Sequence, residues 1–261
     1  MHTHMLGRST TKINDLLADC PAGVPMTSAW LGSKGASPQL MQKYKETGWV
    51  ESLGRGAWIR AGTKPTMLGA TYALQRISLN IYPAAKTALE LQGQAHYVPV
   101  GQFPVLQVSA EVNQRLPAWF INLDFSENLH VMNSSRLFAP VFTGLNELKI
   151  EGLMIKASSP ERAMLEYCQL LSKQADFEEA WQLMQGLTTL RPRLLQSTLQ
   201  ACQSVKAKRL FLALASAVGH NWYKELNLDA IYLGSSNRTL SIEGSQHPRF
   251  GITVPETWIT E

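Results

Sequence analysis

Ser37-Pro38-Gln39-Leu40-Met41-Gln42-Lys43-Tyr44-Lys45-Glu46-Thr47-Gly48 carries both ends of a short helix in its own residues. A serine at the N-cap can accept from the first free N–H groups, proline suits the first helical position, and glycine suits the left-handed stop. On a helical wheel Leu40, Met41 and Tyr44 share an apolar face. Gln39, Gln42 and Glu46 take the opposite face, with Lys43 and Lys45 on its shoulders. A helix built this way can dock by one face and offer the other to a duplex, where amide side chains pair with adenine and lysines meet phosphate.

The flanking residues complete a small domain. Upstream, Ile13, Leu16, Leu17 and Cys20 fall at the spacing of one helical face, closed by Pro21 and Gly23. A second short helix is expected over Thr27 to Leu31, followed by the turn Gly32-Ser33-Lys34-Gly35. Downstream, two short apolar runs, 49–52 and 57–60, are joined by Leu53-Gly54-Arg55-Gly56 and predict a β-hairpin with Arg55 at its tip and Arg60 at its base. Three helices and a hairpin in this order predict a winged helix-turn-helix over residues 1–64. Its candidate DNA contacts are Lys34, Ser37, Gln39, Gln42, Lys43, Lys45, Arg55 and Arg60. Gly54-Arg55-Gly56 lacks the spacing of a nucleotide phosphate loop.

Charge points the same way. Residues 1–64 hold eight Lys/Arg against four Asp/Glu, which equals the whole formal charge of +4, and the remaining 197 residues hold sixteen of each. A basic domain on a neutral body is the footprint of a polyanionic partner.

The rest reads as a mixed α+β body, divided into a helix-and-sheet region over 65–157 and a mainly helical region over 158–261 with a closing hairpin; these two can also be one domain. Helices broken at Pro83 are expected over 66–92, and strands over 97–109, 118–123 and 128–133. Helices are expected from Ser159-Pro160-Glu161 onward, over 176–186, 192–204 and 206–219. Strands are then expected near Ala230–Leu233, Thr239–Ile242 and Phe250–Val254. Between Glu179 and Glu225 there is no acid, yet Arg191, Arg193, Lys206, Lys208 and Arg209 lie there at the starts of two helices, against the macrodipole. Two readings fit: pairing with Glu161, Glu166, Asp176, Glu178 and Glu179 within the same bundle, or a second surface for an anion or partner.

Several classes are disfavoured. Cys20, Cys168 and Cys202 are odd in number and far apart, which predicts neither a disulfide framework nor a cysteine-based metal site and suits a reducing cytoplasm. The six histidines form no ligand spacing, and Ser134-Ser135 and Ser235-Ser236 sit in no nucleophile elbow, so no catalytic residue, metal or cofactor is expected. No signal peptide is read in residues 1–8, and the most apolar helix candidate, Leu210 to Val218, is about half the ~20 residues that a bilayer span needs.

Lys43-Tyr44-Lys45-Glu46-Thr47-Gly48-Trp49-Val50, with Gly54-Arg55-Gly56-Ala57-Trp58, resembles the N-terminal domain of the AbiEi antitoxins, transcriptional regulators of type IV toxin–antitoxin systems used in phage defence. The resemblance runs on through Ala70-Thr71-Tyr72-Ala73-Leu74-Gln75 and Thr87-Ala88-Leu89-Glu90-Leu91-Gln92-Gly93-Gln94-Ala95-His96-Tyr97. Near the C-terminus, Leu233-Gly234, Asn237-Arg238-Thr239-Leu240 and Arg249-Phe250-Gly251-Ile252-Thr253-Val254-Pro255 are similar to that family's closing hairpin. The family implies an autorepressor that binds inverted repeats of double-stranded DNA in its own promoter, and a body that counteracts a neighbouring nucleotidyltransferase toxin. From the residues alone, a ligand-sensing winged-helix repressor or a protein-binding adaptor remains open.

Overall fold

The computed structural model describes residues 13–94, 106–110, 115–124 and 129–259. The chain is α+β and divides into two units. The first takes residues 1–81, 113–128 and 149–155; the second takes 82–112, 129–148 and 156–261. Residues 65–81, expected in the middle region, thus group with the N-terminal unit.

In the first unit, helix α1 (residues 13–18) leads into strand β1 (Met26–Thr27), α2 (Ser28–Ser33), α3 (Pro38–Glu46), β2 (Val50–Gly54) and β3 (Ala57–Arg60). The hairpin gains a third strand that the sequence reading lacked: β1 pairs antiparallel with β3, Met26 opposite Trp58. The apolar spacing of α1 buries Ile13, Leu16, Leu17 and Cys20, and Met26, Leu31, Met41, Tyr44, Val50 and Ile59 of the same unit are buried as well. Helix α4 (Met67–Gln75) closes this core. It approaches the turn after α1 so tightly that a Cβ on Gly69 would stand 2.2 Å from the Gly23 carbonyl oxygen. Arg76, just past α4, lies 4.1 Å over the Trp30 ring and holds the two together.

A later segment returns to this unit. Trp119-Phe120-Ile121-Asn122-Leu123 was expected as strand but forms helix α6 (Ala118–Ile121), entered through an extended Pro117. A short apolar run has no period of its own to choose between helix and strand, and here Pro117 starts a helical turn. Trp119 packs against Gly54 at the end of β2; a Cβ on that glycine would meet Trp119 Cβ at 3.7 Å.

The second unit is arranged around α8 (Pro160–Leu170), whose residues 161–168 are all buried. Helices α5 (Ala85–Leu91), α9 (Gln174–Gly186), α10 (Pro192–Ala201) and α11 (Val205–Val218) pack on it. Strands β4 (Ile81–Pro83), β5 (Leu106–Ala110) and β6 (Leu129–Asn133) form a sheet in that order, β5 and β6 parallel with Val108 opposite Val131. The expected strand at 97–100 lies outside the described residues. Helix α7 (Ser134–Leu137) follows β6. A hairpin that the sequence reading omitted, β7 (Leu145–Ile150) and β8 (Leu153–Ser158), is visible in hindsight in the alternation of buried Leu153, Ile155 and Ala157 with Met154 and Lys156.

Such a core helix carries ions at its centre. Arg162 is 0% exposed. Its Nε donates to Glu166 Oε1 at 2.7 Å, and its terminal nitrogens donate to the Val141 and Thr143 carbonyls and to the Tyr82 hydroxyl. The second oxygen of Glu166 accepts from the N–H of Ala85, a residue at φ 45°. Each side-chain nitrogen of Arg162 and each carboxylate oxygen of Glu166 thus has a partner.

The C-terminal part departs from expectation. Ala230–Leu233 and Thr239–Ile242 are not strands; a 3-10 turn at Leu228–Ala230 gives way to irregular chain, and the closing pair is β9 (Ser245–Gln246) with β10 (Thr253–Val254). For the first of these the reason lies in the hydrogen bonds: the carbonyls of Leu233, Gly234 and Ser236 are satisfied by the Arg209 side chain instead of a neighbouring strand. In the same region His247 is 5% exposed, and its Nδ1 accepts from the N–H groups of Arg249 and Phe250. Burial, then the nearby Arg249 charge, depress its pKa below the ordinary 6.5. The folded state therefore binds this proton less readily than the unfolded one. The stabilisation is complete above pH 6.5 and is lost as pH falls through the depressed folded value. Thermal stability of the protein should fall as pH drops below 6.5, and His247→Asn should flatten the profile.

Candidate nucleic-acid interface

Helix α3 forms with the caps that its residues predict. Ser37 is extended, and its hydroxyl accepts from Leu40 N–H at 3.2 Å; Pro38 is the first helical residue, and Gly48 takes φ 74° just beyond the end. Met41 and Tyr44 are buried, at 1% and 4% exposure, and fix the orientation of α3. What they leave outside is the strip Gln39, Gln42, Lys43, Lys45 and Glu46. Gln39, Gln42, Lys43 and Glu46 border one open depression with Pro38.

Strand β2 follows α3 directly and ends at the tip, where Gly54 and Gly56 at φ 120° and 89° flank Arg55. Those angles belong to a turn that only glycine enters without strain, and they leave Arg55 exposed. Among the described residues, Lys43, Lys45 and Arg55 have no ion-pair partner.

Two of the expected contacts have other work. Lys34 pairs with Asp19, and that ammonium holds the Asp19 carboxyl below its usual range. Both groups are about half exposed, so the pair is weak enough for a phosphate to compete with it. Arg60 is half-buried and donates to the Leu17 carbonyl at 2.7 Å, closing the free end of α1, while its Nε is buried without a partner.

The second set of cations is divided by burial. Lys208 and Arg209 are 3% and 4% exposed and cannot form a partner-facing surface. Arg209 donates to the carbonyls of Leu233, Gly234, Ser236 and Gly251. Lys206, half-buried, donates to the Gln169 and Leu171 carbonyls at the C-terminal end of α8. A cation that opposes the dipole of its own helix thereby meets the favourable end of another. Burial pulls all three below their ordinary pKa values. Lys208 also lies 5.7 Å from the Tyr232 ring centre. Of the expected pairings with acids only Arg191–Glu161 forms among the described residues; Lys206 and Arg209 are taken by backbone carbonyls instead. Glu166 serves Arg162, Asp176 caps the start of α9, and Glu179 takes Lys86 and Tyr167.

Among the described acids only Glu161, 1% exposed, serves the basic stretch, accepting from the Arg191 N–H at 2.9 Å and from its guanidinium at 3.0 and 3.1 Å. Burial raises the Glu161 pKa, but the Arg191 hydrogen bonds more than offset it and hold the carboxyl below its ordinary value. Arg193 remains exposed.

Trp119 against the hairpin and Arg76 over Trp30 escaped the sequence reading. Neither is linked to its partner by local spacing. Among the described residues no group of His, Cys, Asp and Glu could hold a metal, and no helix is long and apolar enough to cross a membrane.

Two family models match the chain. Residues 9–100 match the transcriptional regulator AbiEi antitoxin N-terminal domain, and residues 104–255 match the transcriptional regulator AbiEi antitoxin of type IV toxin–antitoxin systems. No curated protein matches. Among solved structures, the chain is similar to the RV2827C protein from Mycobacterium tuberculosis, with 14% identity over 94% of this chain and 90% of that one and a TM-score of 0.59. At that identity the likeness concerns the fold alone.

Proposed function

Because the chain belongs to the AbiEi family of antitoxin transcriptional regulators of type IV toxin–antitoxin systems, we propose that its first unit is a winged helix-turn-helix that binds inverted repeats in its own promoter. The second unit counteracts a nucleotidyltransferase toxin encoded beside it, and both act in the cytoplasm. The observation that carries the DNA reading is the state of the cations. Lys43, Lys45 and Arg55 stand exposed and unpaired around an amide-bearing helix face, whereas the basic stretch of the body is largely consumed internally. Gln39 and Gln42 then face base edges, and Lys34, Ser37 and the three free cations face phosphate.

The test is a fluorescence anisotropy titration of the full chain against duplex from upstream of its reading frame, over a range of salt. Binding should weaken with a log–log slope of ~0.9 for each neutralised phosphate. Replacing Lys43, Lys45 and Arg55 together by Gln should lower that slope by about 2.7. Absence of binding, or a slope unchanged in the triple variant, would falsify this assignment.

A further inference from the structure

Glu46 is the single carboxylate of α3, and its position is unfavourable for the helix. It is the last helical residue, where the negative end of the dipole disfavours an acid. Lys43 and Lys45 are close in sequence, yet neither is within ion-pair distance of it among the described residues. Its partner is instead the side chain of Gln42, whose Nε2 donates to Glu46 Oε1 at 3.0 Å. Both residues are exposed and border the same depression on the outer face.

This hydrogen bond decides what the pair can read. One amide N–H of Gln42 is committed to Glu46, so the pair turns outward mainly acceptors: the Gln42 carbonyl oxygen and the carboxylate. In the major groove guanine shows two acceptors and thymine one, while cytosine shows an N4 amine and adenine an N6 amine. A carboxylate among phosphates is repelled unless it accepts from such an amine, and cytosine is its usual counterpart.

We propose that Glu46 is a specificity-determining residue of the operator interaction, accepting from the N4 amine of a cytosine and rejecting guanine at that position. This rests on α3 being the groove-reading helix.

The experiment selects bound duplexes from a pool with a randomised centre, using the full chain as wild type and as Glu46→Gln, both with matching thermal unfolding. The wild type should enrich a motif with a fixed cytosine, and Glu46→Gln should lose that column alone. A duplex with that base pair inverted should then regain about five- to hundredfold affinity for the variant relative to the wild type. An identical motif from both proteins overturns the role of Glu46 and leaves the DNA reading standing. A wild-type chain that enriches no sequence overturns the DNA reading, and this proposal with it.

Discussion

Arg162→Met should cost roughly 3–5 kcal/mol of stability, the largest loss expected from any single exchange in the chain. The substitution leaves Glu166 as a buried carboxylate whose only remaining partner is the Ala85 N–H, and it strips the Val141 and Thr143 carbonyls and the Tyr82 hydroxyl of their donor. Methionine fills much of the volume, so the loss is electrostatic more than steric. Its sulfur offers none of the N–H groups that the site requires. For a protein of this size the melting temperature should fall by roughly 6–20 °C. A calorimetric scan measures it; a shift within a degree or two would mean that water enters and replaces the guanidinium. The expectation follows from the position of Arg162 on α8, the helix against which α5, α10 and α11 all pack.

Arg209→Gln should destabilise by about 1–3 kcal/mol, because part-buried carbonyl acceptors lose a charged donor that only water can partly replace. Four carbonyls are involved, at 2.8 Å from Leu233, 2.8 Å from Ser236, 2.7 Å from Gly251 and 3.2 Å from Gly234. A glutamine amide can reach one or two of them, and a lysine lacks the planar fork that spans them all. The effect should be concentrated in the C-terminal segment, so amide exchange across 233–251 should accelerate more than exchange in α8. The contrast is Arg193→Gln, an exposed change expected to stay within about 0.5 kcal/mol. Equal effects at 193 and 209 would restore the reading of this stretch as one continuous surface.

These two arginines show where sequence reading succeeds and fails. Ser37, Pro38 and Gly48 specify α3 through bonds and torsions that span at most four residues, and Gly54-Arg55-Gly56 specifies the hairpin tip in the same way. Apolar spacing told which face of each helix turns inward, as Ile13, Leu16 and Leu17 on α1 illustrate. Short runs without a period were misassigned: Trp119 became helical beside Pro117, and the residues near Leu233 gave up strand pairing to a side chain.

By itself, then, the sequence determined α1 to α4, the caps of α3, the hairpin and the basic character of the first unit, because local geometry and burial periodicity follow from neighbouring residues. Only the tertiary structure decided which cations remain free. Arg60 is taken by a carbonyl 43 positions away, Lys206 by one 37 positions away and Arg209 by one 24 positions away, while Lys43, Lys45 and Arg55 are left to solvent. A charge count sees the same guanidinium in both cases, since a backbone carbonyl brought near by folding satisfies it as a phosphate does.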